Sequence, residues 1–238
     1  MIVDENLLVE RRESFLWVTL NRADKANALA VAMMEGAAAA LKQAAADENV
    51  RAVLLTGAGA RVFCAGADVR EKPADGDMAA HRKRRSAGLA ALLEAIMDNP
   101  KPVIAVLNGT ASGGGAMLAF LSDARIAVDT AAISLPEIDL GMPTFTGAVI
   151  AEQVGGLALA VDLVQSGRRM PAAEALSRGL LTAVTPRAGL EAEALRVAAG
   201  LAGKDANAFA ANKHWLNRKM KAALGEARVE HERHRKHE

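Results

Sequence analysis

The sequence predicts an α/β fold built on a largely parallel sheet. Apolar segments of strand length, Phe15–Leu20, Ala52–Thr56 and Pro102–Leu107, alternate with alanine-rich helical stretches such as Ala30 to Ala46 and Ser86 to Met97. That alternation is the signature of strand–helix crossovers. Glycine-rich turns stand where strands give way to helices, at Cys64-Ala65-Gly66-Ala67 and at Gly113-Gly114-Gly115. The chain has 238 residues and is 51% hydrophobic, enough to bury a sizeable core.

Each element follows in order. The strand Phe15–Leu20 is followed by a polar segment through Ala28 and then the helix Ala30 to Ala46. Val53–Gly57 is a hydrophobic strand that leads towards the small-residue turn Phe63 to Asp68, where Asp68 suits the N-cap of a following helix. Pro73 to Asp77 reads as a loop, and His81-Arg82-Lys83-Arg84-Arg85 opens the next helix. Such a run is ordinarily a wet helix face, with contact to the phosphates of a nucleotide carrier as the alternative. Pro102–Leu107 ends in Asn108-Gly109, and past the glycine triplet Ala116–Leu121 starts a helix. Shorter strands are expected at Ala124–Val128 and around Ala183-Val184, and Thr146 fits the cap of the helix through Ile150. From Ala188 the pattern is helical to the end, with a highly charged stretch from Lys213 to Glu238.

Bulk properties narrow the classes. A net charge of +1 and the absence of tyrosine argue against a nucleic-acid surface with stacking aromatics. No uninterrupted apolar run approaches the roughly 20 residues of a membrane span, and Met1 to Glu5 lack the features of a signal peptide, so a cytoplasmic location without membrane attachment is expected. Cys64 is the only cysteine, which excludes an intrachain disulfide and a cysteine-based metal cage. Its expected role is packing. Four of the five histidines, His214, His231, His234 and His237, lie at or near the end without zinc spacing; no metal is expected, and the end reads as a solvated charged tail.

The two glycine turns carry the chemistry. Small residues there leave backbone N–H groups uncovered, and two such turns suggest an oxyanion hole. Further motifs stand in fixed order: Leu20-Asn21-Arg22-Ala23-Asp24-Lys25-Ala26-Asn27-Ala28-Leu29, Arg61 to Val69, Asn108 to Gly115, Asp123 to Ala127, Leu135-Pro136-Glu137-Ile138-Asp139-Leu140-Gly141 and Ser166 to Ala175. Together they resemble the crotonase (enoyl-CoA hydratase/isomerase) superfamily from the first strand to about Ala211. The resemblance implies a spiral of ββα units over 1–190 that binds an acyl-CoA thioester, a C-terminal helical oligomerisation region over 191–238, and a homotrimer or hexamer. It implies no cofactor beyond the coenzyme A of the substrate. The chain stops short of the family's usual last helical segment, which puts contacts from that segment in doubt.

The resemblance assigns the oxyanion-hole amides to Ala67 and Gly114, with Gly113 beside them. It places carrier and substrate contacts at Lys25, Ala26, Ala28, Ala65, Gly66, Asp68, Val69 and Pro136. In the family's hydratases two carboxylates activate one water. The second matches Glu137, but the first falls at Met117, more a pocket or core side chain than a reactive group. A single base suffices to shift a β,γ double bond to α,β, so isomerisation through Glu137 is the leading reaction. Asp139, two residues on, shares a face with Glu137 if the segment is extended and would then offer a second acid, but a loop aspartate capping its own backbone is the preferred reading. Met142 to Gly147 also departs from the family by placing Thr144 and Thr146 where small residues are common. Hydration, decarboxylation or thioester hydrolysis and a non-catalytic acyl-CoA-binding subunit stay open. A serine hydrolase based on Ser112 does not fit, because Thr110 stands where a nucleophile elbow needs glycine.

Overall fold

The computed structural model describes residues 2–235. An antiparallel ribbon of β1 (Ile2–Asp4), β2 (Leu7–Arg12) and β3 (Phe15–Leu20) leads into α1 (Val31–Ala46). Three successive ββα units follow. They are β4 (Ala52–Gly57), β5 (Val62–Cys64) and α2 (Met78–Asp98); β6 (Val103–Leu107), β7 (Thr110–Ser112) and α3 (Gly114–Leu121); and β8 (Ala124–Val128), β9 (Ala132–Ser134) and α4 (Phe145–Ser166). The chain continues through β10 (Met170–Pro171), α5 (Ala172–Ser177), β11 (Ala183–Thr185), α6 (Leu190–Ala202) and α7 (Ala206–Arg235).

The first strand of each unit joins a seven-stranded sheet ordered β1-β2-β3-β4-β6-β8-β11, and the second joins a four-stranded sheet ordered β10-β9-β7-β5. From β3 to β11 the large sheet is parallel. This is the α/β spiral expected from the sequence. Val53, Leu54, Leu55, Val103, Ile104 and Ala105 are wholly buried, because helices cover both faces of a parallel sheet. α1 and α2 pack together, while α6 packs on β4, β6 and β8.

Several local expectations change. α2 begins at Met78, before the basic run, since Asp77 caps it by accepting from the N–H groups of Ala79 and Ala80 at 3.0 and 2.9 Å. No helix follows Asp68. Its Oδ1 instead takes the Arg70 N–H at 3.0 Å in a tight turn, and its Oδ2 pairs with Arg22 at 3.0 Å. Thr144, not Thr146, occupies the N-cap of α4, because that helix already starts at Phe145. α4 is apolar and long enough by length and composition to cross a bilayer; its backbone breaks at Gly156 (φ 81°, ψ 169°) and it packs along α7 and α3.

The charged end is not a solvated tail over its described length. α7 returns across the molecule, where Lys213 pairs with Asp123 at 2.6 Å with both side chains largely buried. Asp123 also accepts the Val103 N–H at 2.8 Å, tying the helix to the start of β6. Burial raises the Asp123 carboxyl and lowers the Lys213 ammonium, each opposed by its partner. The rings of His231 and His234 meet Phe145 edge-on at 6.2 and 5.8 Å. His237 lies outside the described residues.

The turn between β4 and β5 is held in part by the buried side chain of Asn27. Asn27, wholly buried at φ 53°, donates from Nδ2 to the carbonyls of Ala58 at 2.9 Å and Val62 at 2.8 Å. Its Oδ1 accepts the Arg22 N–H at 3.0 Å. Asn27→Ala removes three bonds worth about 1 kcal/mol each and strands buried polar groups; it also puts alanine in a left-handed conformation. Urea unfolding should show a loss of about 3 kcal/mol or more.

Candidate active site

Two turns converge at the junction of β5 and α3. The segment after β5 forms a parallel bridge with the residues before α1, Leu29 opposite Ala67. The Leu29 N–H donates to the Gly66 carbonyl at 2.8 Å and the Asp68 N–H to the Leu29 carbonyl at 3.0 Å. In a parallel bridge of this register the residue between, Ala67, points its own N–H to the opposite side. Gly114 is the first residue of α3, and an N–H in the first turn has no acceptor within its helix. Among the described residues neither the Ala67 nor the Gly114 N–H donates a hydrogen bond.

The glycines divide the work of bringing these amides together. A Cβ on Gly115 would fall 2.3 Å from the Cys64 carbonyl oxygen, so only glycine lets α3 dock on the turn. Gly113 precedes the helix at φ 53° and would aim a Cβ to 3.1 Å from Glu137 Oε1. Gly114 has an ordinary backbone, but a Cβ there would stand 3.5 Å from Ala67 N and 3.5 Å from Leu89 Cδ1, filling the space before both amides. Gly66, at φ 91°, would press a Cβ to 2.9 Å from Gly114 N. Cys64 is wholly buried and burial pushes its thiol up to about 12, which fits packing and not nucleophilic chemistry.

Glu137 sits in a 3₁₀ turn, Pro136–Leu140, closed by Gly141 at φ 67°. Its carboxylate lies over Gly113, and Oε2 is shielded from solvent without a hydrogen-bond partner among the described residues. Burial pushes this carboxyl above the ordinary glutamate range, opposed in part by its own backbone N–H and by the Thr144 hydroxyl. Met117 is 4% exposed, its Cε 3.0 Å from where a Cβ on Gly147 would stand. It is therefore packed under the first turn of α4 and carries no charge to the carboxylate. Asp139 does not share a face with Glu137, because the segment is a 3₁₀ turn and not a strand. It swings away to lie over Gly167, where its Oδ2 would be 2.9 Å from an added Cβ.

The residues expected to contact a carrier are partly brought together. Ala26, Ala65 and Pro136 line a cleft of about 780 Å³ that also includes Ser112, Ser134 and Arg169. Lys25 stays exposed on a neighbouring 3₁₀ turn, and Val69 is 48% exposed beyond Asp68. The Ala28 carbonyl accepts from Arg22 Nη1 at 2.7 Å. Sequence reasoning missed Arg22, whose buried guanidinium joins Ala28 to Asp68, and Leu89, which walls the space before Gly114. Neither is marked by periodicity, since each acts on a partner brought near only by the fold.

Comparison with known proteins identifies the family. The enoyl-CoA hydratase/isomerase family model matches residues 10–237. YngF of Bacillus subtilis is 34% identical over 223 residues, covering 93% of this chain and 85% of YngF. An enoyl-CoA hydratase from Bacillus anthracis superposes with a TM-score of 0.83 at 31% identity, over 96% of this chain and 88% of its own. One from Mycobacterium avium subsp. paratuberculosis gives 0.84 at 33% identity, over 95% and 92%. The chain belongs to the enoyl-CoA hydratase/isomerase family, within the crotonase superfamily.

Proposed function

We propose that this enoyl-CoA hydratase/isomerase moves a double bond from the β,γ to the α,β position of an enoyl-CoA, with Glu137 as its single base. The observation that carries the reading is the half-buried Glu137 carboxylate over Gly113, its Oε2 shielded and without a hydrogen-bond partner among the described residues, with Met117 packed where a hydratase would bring a second carboxylate. The thioester oxygen of a 3-enoyl-CoA accepts from the N–H groups of Ala67 and Gly114. Glu137 removes the α-proton, and the electron pair delocalises through the thioester onto that oxygen as a dienolate. The same carboxyl, now protonated, returns the proton to the γ-carbon, which leaves the α,β double bond and a regenerated base. Two preorganised amides stabilise such an oxyanion by several kcal/mol. Gly66 and Gly113 place them, while Lys25, Ala26, Ala28, Ala65, Asp68, Val69 and Pro136 surround the path of the carrier.

Hydration is the second reading, favoured by the solved relatives named as hydratases. It would require Glu137 alone to activate and deliver water. Exposed apolar side chains on α4 and α7, Leu157, Val161, Trp215 and Leu216, support a homo-oligomer.

Turnover of 3-enoyl-CoA and 2-enoyl-CoA by wild type and Glu137→Gln distinguishes the readings. Isomerisation should fall by about 10²–10⁴-fold in the variant, the usual contribution of a positioned base, and hydration by the wild type should be minor. Robust hydration would overturn the isomerase assignment. The base must be ionised, so kcat/KM of the wild type should fall on the acid side through a value above the ordinary glutamate range. The sign for stability is opposite. A carboxyl whose folded value is raised destabilises the folded state once ionised, and this penalty disappears as pH falls through the raised value. At neutral pH Glu137→Gln should therefore melt higher than the wild type.

The oxyanion hole has its own test. Gly114→Ala meets its neighbours at ordinary contact distance, 3.5 Å, so the fold should survive while turnover drops about 10²–10³-fold. Circular dichroism together with turnover checks both halves of that outcome.

A further inference from the structure

The turn that carries the Ala67 amide is lightly held by its backbone. Its bridge to Leu29 stands outside the named strands, with two hydrogen bonds, Leu29 N–H to the Gly66 carbonyl and Asp68 N–H to the Leu29 carbonyl. A pairing so short contributes little by itself, and side chains keep it in register. On one side Arg22 ties the Ala28 carbonyl to the Asp68 carboxylate at 2.7 and 3.0 Å. On the other, Glu71 Oε2 accepts the Val31 N–H at 3.0 Å, across 40 residues of sequence. The bridge thus lies between two clamps.

Glu71 supplies what α1 lacks. Val31 is the first residue of that helix, so its N–H has no acceptor within it. The N-cap residue is Ala30, which offers no side-chain acceptor, and the first turn holds no acidic residue. A carboxylate brought from the far side of the bridge fills both needs, as an acceptor and as negative charge at the positive end of the helix. The His81 imidazole, 6% exposed, packs against the same oxygen with Nε2 3.4 Å away. The Glu71 N–H donates to the Asp68 carbonyl at 3.4 Å, which closes the turn. Past Glu71 the hydrogen bonds of residues 72–77 stay, among the described residues, within their own loop and the first turn of α2. Glu71 is therefore the last hydrogen bond from this turn to the α1 side.

We infer that Glu71 is a positioning residue for the oxyanion hole: by binding the start of α1 it holds the Leu29–Ala67 bridge in register and keeps the Ala67 N–H aimed at the thioester oxygen. This rests on the reading of Ala67 and Gly114 as that hole. With Arg22 alone the two-bond bridge can pivot, and a displacement of about 1 Å costs catalytic alignment about 10²-fold. Glutamine at 71 keeps an acceptor at the same reach. Aspartate keeps the charge but falls one methylene short.

Infrared difference spectroscopy of bound hexanoyl-CoA, isotope-labelled at the thioester carbonyl and unable to isomerise, reads the hole without turnover. In the wild type the carbonyl band should move to lower frequency than in the free ester in water, because two fixed amides polarise it. Glu71→Asp should lose most of that shift and Glu71→Gln should keep it. With 3-enoyl-CoA the aspartate variant should lose about 10²-fold in kcat at nearly unchanged KM. Amide hydrogen exchange of the wild type, read by NMR, needs no variant: the Val31 N–H should be protected like those of Leu29 and Asp68. A freely exchanging Val31 N–H, a full band shift in Glu71→Asp, or an equal loss in Glu71→Gln would overturn the assignment and leave the oxyanion hole standing. No band shift in the wild type would overturn both. A shift lost in Glu71→Asp and kept in Glu71→Gln, with no isomerisation of 3-enoyl-CoA by the wild type, would uphold Glu71 and sink the isomerase reading.

Discussion

The candidate site depends on one close approach, that of α3 onto the turn after β5. Gly115 has no Cβ, and the Cys64 carbonyl occupies the place where one would stand. Because α3 can sit that low, Gly114 at its first position faces Ala67. The turn itself is fixed from the other side by the bridge of Leu29 to Ala67. That bridge fixes which amides are used within the fold and which face outward. The convergent N–H pair is thus a consequence of strand register and helix docking, set before any ligand arrives. Preorganisation of this kind is what gives backbone donors their catalytic value, since no reorganisation is needed when charge develops.

The surrounding polar groups serve that register. Asn27 and Asn108 satisfy the carbonyls of the 58–62 loop, with Asn108 Nδ2 donating to Gly59 at 2.8 Å and its Oδ1 accepting the Gly57 N–H at 3.1 Å. Arg22 bridges the Ala28 carbonyl and the Asp68 carboxylate, clamping the residue after Ala67. A buried arginine engaged in this way is costly to leave without partners. The ion pair therefore serves the position of the turn more than net stability. At the other end of the molecule Lys213 and Asp123 do the same for α7, whose far end then reaches Phe145, the first residue of α4 and next to Thr144.

The long elements were legible in the sequence because their apolar patterns run over several residues. The second strands of the ββα units were not, since β5, β7 and β9 each have three residues, too few for alternation to show. The glycine turns and Glu137 were legible as motifs, and the geometry brings them together. The alternative that set Asp139 on the face of Glu137 fails because Pro136 starts a 3₁₀ turn that rotates alternate residues apart, where a strand would have aligned them. Thr146 was misplaced as a cap because hydroxyls two residues apart look equivalent in sequence. Only the path of the chain gives Thr144 the N-cap position and contact with the carboxylate.

Met117 is the substitution that gives the site its electrostatic character. Two carboxylates brought together in a site with little water favour keeping one group protonated. With methionine in place, Glu137 meets no acidic neighbour among the influences on its titration; desolvation dominates, and the backbone and Thr144 moderate it. Desolvation thus holds this carboxyl above the ordinary glutamate range, with no second carboxylate among the influences on it.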